Sequence, residues 1–336
     1  MLECATPFKE PQCAAAVLMV RPARFAFNAQ TAPSNSFQAL RAEFNGADAA
    51  RSEDNNQLPE SAHRDLQDLA LREFDALSER LQRAGVKVIV ADDTEAPAKP
   101  DALFPNNWVS FHCDGTVVLY PMLAPNRRSE RREDVIRQVT GDGAFRIART
   151  VDLSYRENQG KYLEGTGSLV LDRPQRVAYA NLSPRTDLDV LGEFAQQLDY
   201  ELVTFEAFDG AGNAVYHTNV LMAIGARFAV VCGAAIAPPT NRDAVYSKLR
   251  SSGREIIEIT LSQMQQFAGN LLELAPAAGG NVIALSTTAW RSLDPAQRRA
   301  LENHASVLAA DIPVIERYGG GGVRCMLAEI HLPTRA

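Results

Sequence analysis

A chain of 336 residues that is 46% hydrophobic and 22% charged has an ordinary globular composition, and a net charge of −7 argues against a dedicated nucleic-acid binder. No apolar run approaches the roughly 18 residues that span a bilayer, and "AAAVLMV" (14–20), followed by Arg21 and Pro22, is too short for a span and lacks a signal-peptide cleavage site. Five scattered cysteines (Cys4, Cys13, Cys113, Cys232, Cys325) form no C-x-x-C pair, so neither a disulfide framework nor a zinc ribbon is suggested, and the expected setting is reducing and cytoplasmic.

In chain order, "AAAVLMV" reads as a strand, and 28–60 as a polar loop or lid. Residues 61–84 form an amphipathic helix with Leu66, Leu69, Phe74, Leu77 and Leu81 near one face and Gly85 as its stop, followed by the strand "VKVIV". "NNWVSFHCDGTVVLYPM" (106–122) is a hairpin around an Asp-Gly turn. Helix 128–139 and strand 145–152 lead to a second hairpin at 168–182; helix 187–198 and strand 201–205 lead to a third at 219–233. Helix 241–251 and strand 255–260 precede the fourth, 270–286, and helix 295–309 with strand 312–316 follows it. "GVRCMLAEIHLP" (322–333) is then a single strand whose natural partner is "AAAVLMV" at the other end of the chain.

Hairpins spaced by roughly 50 to 60 residues signal a repeated architecture. A short motif marks the repeats: an aromatic, two residues, Asn, two apolar residues. It occurs as "FPNNWV" (104–109), "YHTNVL" (216–221) and "FAGNLL" (267–272), with "YLEGTGSL" (162–169) as a degenerate copy and "YGGGGVRC" (318–325) at the fifth place. Five units closed by the chain termini predict one domain over 1–336, an α/β propeller-like ring with strands about a central cleft, helices outside and no exposed strand edge at the closure.

Equivalent positions in a ring face one cleft. That places Asp101, Asn106, Asn107, Glu164, His217, Asn219 and Cys325 together. Taken singly, Glu164 reads as a solvated turn carboxylate, His217 as a structural histidine and Cys325 as a small buried apolar residue. Together they are a thiol, an imidazole and a carboxylate, the set that nucleophilic catalysis uses, and such sets are recognised by geometry rather than by order. The run Gly319 to Gly322 lets backbone approach a ligand closely. His63, His112, His304, His331 and the other cysteines have no partner spacing and receive no role.

The segments "PDALFPNN", "APNRR", "EGTGSLVLD", "SPRT", "YHTN" and "GGGGVRCM", in that order, resemble the pentein superfamily of guanidino-group-modifying enzymes from about residue 14 to 333. The likeness extends to dimethylargininase and arginine deiminase, and most of all to the amidinotransferase-like, citrulline-utilisation hydrolase group. It implies Cys325 as nucleophile, His217 as general acid and base, Glu164 as the orienting carboxylate, and Asp101 on the guanidino or ureido nitrogens. It also implies Arg127 or Arg128, with Arg185, on the substrate α-carboxylate. Where deiminases carry aspartates, this chain has Asn107 and Asn219, so two negative charges become neutral amides, which suit a ureido group better than a guanidinium.

The implied partner is therefore a small molecule, arginine, citrulline or a derivative, with no metal or organic cofactor, nucleic acid or membrane. The implied reaction is hydrolysis through a covalent cysteine adduct. An amidinotransferase, or a non-catalytic binding factor on the same ring fold, is the alternative. The oligomeric state is left open, a homo-oligomer included.

Overall fold

The computed structural model describes residues 10–38, 60–141 and 144–335. Its strands repeat one unit: a hairpin whose second strand pairs in parallel with a third. The first ladder joins the chain ends. β1 (Ala16–Arg21) runs antiparallel to Ala328–Ile330 and parallel to β2 (Lys87–Asp92), with Ala16 opposite Ile330.

The next ladder is β3 (Val109–Phe111), β4 (Thr116–Leu119) and β5 (Arg149–Asp152), with the same antiparallel then parallel order. It is followed by β6 (Leu169–Asp172), β7 (Val177–Asn181) and β8 (Glu201–Ala207). Then come β9 (Met222–Ile224) and β10 (Phe228–Val231), with the short β11 (Ile236–Ala237) on the edge of β8 and β12 (Glu255–Glu258) on the edge of β10. The last ladder is β13 (Leu272–Leu274), β14 (Val282–Ser286) and β15 (Ser306–Ala310). The C-terminal strand, β16 (Ala328–Ile330), also meets β3 in parallel, which fuses the first two ladders into one six-stranded sheet.

The apolar patterns explain this layering. β1 is a continuous apolar run because both of its faces are covered, as expected for a strand inside a sheet. Val17 and Met19 pack with the helix Glu60–Arg83, while Leu18 and Val20 pack with Trp108 and Phe111. The helix buries Leu66, Ala70, Phe74, Leu77 and Leu81, whereas Leu69 is only half-buried, so the core-facing stripe runs through Ala70. Leu77→Ala in this stripe costs about 2–5 kcal/mol. Gly85, at φ +84°, ends the helix as expected.

Four expected elements differ. The helix from 295 stops at Glu302, and Ser306–Ala310 pairs residue by residue with β14 instead of continuing it. Residues 313–319 are a helix opened by Pro313, a residue suited to the first helical turn, rather than a strand over 312–316. Expected helix 128–139 is a 3₁₀ turn at Pro125–Glu130 followed by a helix at Glu133–Gly141, and strand 145–152 begins only at Arg149. Residues 28–38 are ordered against the site, and the remainder of the 28–60 stretch up to residue 59 lies outside the described residues. Among the described residues no helix is long and apolar enough to cross a membrane.

Candidate active site

The repeated motif builds the site. In four units it forms a one-turn helical segment just before the first strand of its ladder: Pro105–Asn107, Gly165–Ser168, Thr218–Leu221 and Val323–Met326. The 165–168 turn packs on both the 105–107 and 218–221 turns, and 105–107 packs on 323–326. Cys325 therefore sits in a helical turn, not in the expected strand. Glu164 and His217 occupy the same place in their units, the residue that opens the turn.

One buried pocket is walled by Asp101, Asn107, Arg127, Arg185, His217 and Cys325, with Tyr216, Phe104, Asn35 and the backbone of Gly319 to Gly321. His217 Nε2 meets Glu164 Oε2 at 2.9 Å, both side chains being nearly or wholly buried. Gly167 makes this approach possible, because a Cβ there would stand 2.6 Å from His217 Nδ1 and from Asn107 Nδ2. Burial pushes the imidazole pKa down to about 4, against the pull of Glu164. Burial pushes Glu164 up, but Arg185, the His217 hydrogen bond and Arg127 outweigh it and hold the carboxyl well below its usual range. Near neutral pH the pair is thus a neutral imidazole on a carboxylate.

The glycine run is a packed wall rather than a loose loop. Gly320, at φ +65°, ends the helix Pro313–Gly319, and its carbonyl accepts from Tyr216 Oη at 2.6 Å and Asn35 Nδ2 at 3.2 Å. The Cys325 thiol is raised by burial, against the hydrogen bond from Asn270 and the charge of Arg324. Its sulfur receives Asn270 Nδ2 at 3.2 Å and Asn219 Nδ2 at 3.6 Å.

The charged groups divide into two kinds. Arg127 is fully engaged: Glu130 takes Nε and Nη2 at 2.9 Å each, Asn107 Oδ1 takes Nη1 at 2.8 Å, and Asp101 and Glu164 lie 3.8 Å away. Asp101 accepts from Asn28 and Thr31 through Oδ2, while its buried Oδ1 has no hydrogen-bond partner, and burial raises its pKa. Arg185 points into the pocket, stacked over Tyr216 at 4.9 Å and bonded to Ser34 Oγ, the Thr31 carbonyl and Glu164.

Three expected binding residues stand elsewhere. Arg128 is turned to the Met122 carbonyl and Glu157, because consecutive residues of the 125–130 turn point in different directions and Arg127 takes the inward one. Asn106 is spent on Thr166 and Asn107. Asn219 reaches the sulfur but does not wall the pocket. The residues the sequence reading missed are Asn270, Glu130 and Tyr216; of the stretch read as a polar loop or lid, residues 28–38 lie over the pocket through Asn28, Thr31, Ser34, Asn35 and Gln38. Asn270 and Tyr216 were marked by the repeated motif, as its Asn and its aromatic.

An α/β chain with these ladders, and with a thiol, a His–Glu pair and an arginine on one pocket, falls among the pentein enzymes that act on guanidino groups. Residues 21–332 match the model of the family described as N,N dimethylarginine dimethylhydrolase, eukaryotic, and the chain belongs to that family. No curated protein matches it.

Solved structures similar to it include the N-terminal domain of ArgZ bound to substrate, an arginine dihydrolase from the ornithine-ammonia cycle in cyanobacteria. That likeness has 16% identity and a TM-score of 0.68, over 94% of this chain and 99% of that one. AgrE in its binary complex with L-arginine is 18% identical with a TM-score of 0.69, over 95% of this chain but only 40% of AgrE. A dimethylarginine dimethylaminohydrolase adduct with S-methyl-L-thiocitrulline is 14% identical with a TM-score of 0.61, over 94% and 100%. At these identities the likeness is one of fold.

Proposed function

We propose that the chain is a single-domain, five-bladed pentein ring that hydrolyses the guanidino or ureido group of an arginine- or citrulline-like amino acid through a covalent adduct on Cys325, releasing ammonia. The observation that carries this is the convergence of Cys325 and the His217–Glu164 pair on a pocket whose Asp101 Oδ1 is buried and unpartnered. A buried acceptor without a donor is costly, and a substrate N–H supplies the missing bond.

Burial pushes Glu130 up to about 7 and raises Asp101, so the pocket carries no large charge of either sign beside Arg127 and Arg185, and a guanidino or a ureido head meets the same Asp101 acceptor. Arg185 holds the α-carboxylate, exchanging its bonds to Thr31 and Ser34 for the substrate as the 28–38 segment opens. Arg127 serves instead as the fixed counter-charge of Asp101 and Glu164.

In the first step the neutral His217 takes the Cys325 thiol proton, and the sulfur forms a bond to the central guanidino carbon. The C–N bond breaks and ammonia leaves with the proton from His217. Water then gives a proton to His217 and adds to the carbon, the C–S bond breaks, and citrulline is released as the thiol regains its proton. Proton transfer of this kind contributes about 10²–10⁴ in rate. On citrulline the same attack expels ammonia from the ureido carbon, water frees the thiol and leaves a carbamate, and this loses carbon dioxide as its nitrogen takes a proton, giving ornithine. Asn107 supports that second round: its amide places no second negative charge against the substrate, and its Oδ1 is committed to Arg127.

The test offers L-arginine, L-citrulline and dimethylarginine, with and without glycine as acceptor, to the protein and to Cys325→Ala, and reads products by mass spectrometry. Ornithine formed by the protein and not by the variant is expected, with Asn107→Asp stopping arginine at citrulline. Transfer to glycine, or products unchanged in Asn107→Asp, contradicts the hydrolase or the role of the amide, respectively.

A further inference from the structure

The repeat unit that contributes no titratable group to the pocket contributes Asn270, wholly buried just before β13. Its side chain makes three polar contacts. Nδ2 donates to Cys325 Sγ at 3.2 Å and to the Asn219 carbonyl at 2.9 Å, and Oδ1 accepts the backbone N–H of Arg324 at 3.1 Å. These partners fix which end of the amide faces the sulfur. Rotated by half a turn, Oδ1 would meet a carbonyl and the sulfur, two acceptors, while the Arg324 N–H would face an NH₂ group.

Gly322 belongs to this arrangement, since a Cβ there would lie 2.6 Å from Asn270 Oδ1. Asn219, at the matching place of its own unit, brings a second amide to the sulfur at 3.6 Å. The neighbouring titratable side chains spend their polar atoms elsewhere. His217 Nε2 is bonded to Glu164, and the Arg324 side chain turns away to the Leu327 carbonyl and Glu329. Among the described residues, the side-chain amides that donate to Sγ are these two, beside a backbone hydrogen bond at Gly322, and Asn219 Oδ1 also lies within reach of the thiol at 3.9 Å.

We propose that Asn270 is a catalytic residue, its Nδ2 amide holding the Cys325 sulfur in place and stabilising the thiolate from which attack occurs, with Asn219 as the second donor. Neutral donors favour the thiolate that forms when His217 takes the thiol proton. The inference deepens the proposed hydrolase reading, because it takes Cys325 as the nucleophile.

Its test needs no turnover, so a failure here and a failure of that reading are separately visible. Alkylation of Cys325 by iodoacetamide is followed against pH by mass spectrometry of the Cys325 peptide, with the wholly buried Cys232 as an internal gauge of folding. In Asn270→Ala the midpoint should rise by about one pH unit, making the reaction at pH 7 ~10-fold slower. The isosteric Asn270→Asp, which turns an acceptor on the sulfur, should shift it further. An unchanged midpoint in a variant with Cys232 still protected overturns the proposal. For a variant that fails to fold, the unmodified protein decides: the Asn270 side-chain amide resonances should titrate with the Cys325 midpoint, and resonances that stay put through it contradict the assignment.

Discussion

Among the described residues two buried histidine–glutamate pairs stand out, and one of them lies beside a nucleophile. His217 lies 2.9 Å from Glu164, and His331 lies 3.4 Å from Glu329. In both, burial depresses the imidazole, and arginines hold the carboxylate low: Arg185 and Arg127 around Glu164, Arg324 and Arg173 around Glu329. The Glu329 network is closed upon itself, Arg324 at 2.7 Å pairing it and Glu10 pairing Arg173 at 2.8 Å. Beside the His217–Glu164 pair, His217 shares a pocket with a thiol and with Asp101, one oxygen of which has no partner. The chain neighbours Arg324 and Cys325 face different cavities. Perturbed titration alone does not make a site; what separates the two regions is unspent bonding capacity around a nucleophile.

This contrast is broken most strongly by exchanging the pairs' fates. Replacing His217 by Ala should lower kcat by about 10²–10⁴ in protein that still folds, whereas His331→Ala should leave kcat within a few-fold. Steady-state kinetics on both variants decides this, and equal losses would erase the distinction. Next in size, Glu329→Gln leaves Arg324 and Arg173 buried without their partner and should cost about 3–5 kcal/mol, read by denaturant unfolding. In the pocket, Arg185→Lys should raise KM by ~10-fold or more while Arg128→Ala, turned away from the site, should change it less than about 2-fold.

The smallest effect is a pH dependence shared by both pairs. Each imidazole binds its proton less readily in the folded protein than in the unfolded chain. The stability this supplies is complete above the unfolded value of about 6.5 and is lost as the pH falls, for His217 through its folded value of about 4. Melting temperature should therefore drop between those limits, and His217→Gln should flatten the slope there. A slope unchanged in that variant would mean His217 is not buried neutral.

Much of this site was legible in the sequence because the repeat itself carries it. Alternating apolar runs around turns gave the hairpins, and the pairing of the two chain ends followed from an unpartnered strand at each. Cys325, His217, Glu164 and Asp101 were found as polar residues at matching places in the units. What stayed hidden depended on the phase of a turn or on a neighbour in space. Arg127 and Arg128 are adjacent letters, and only the 3₁₀ turn decides which one points inward.

Ser306–Ala310, rich in alanine, extends a helical pattern until its pairing with β14 captures it as strand. Asn270 carried the motif but no titratable group, so a search for reactive side chains passed over it. Its value comes from the sulfur it touches, which lies 55 positions away in the chain.

The most direct measurement of the central claim is acid-quench mass spectrometry of the protein during turnover of arginine. A covalent mass gain confined to the Cys325 peptide, appearing within one turnover and disappearing as substrate is exhausted, is the expected result. Turnover with an unmodified Cys325 peptide, or by the Cys325→Ala variant, would contradict it.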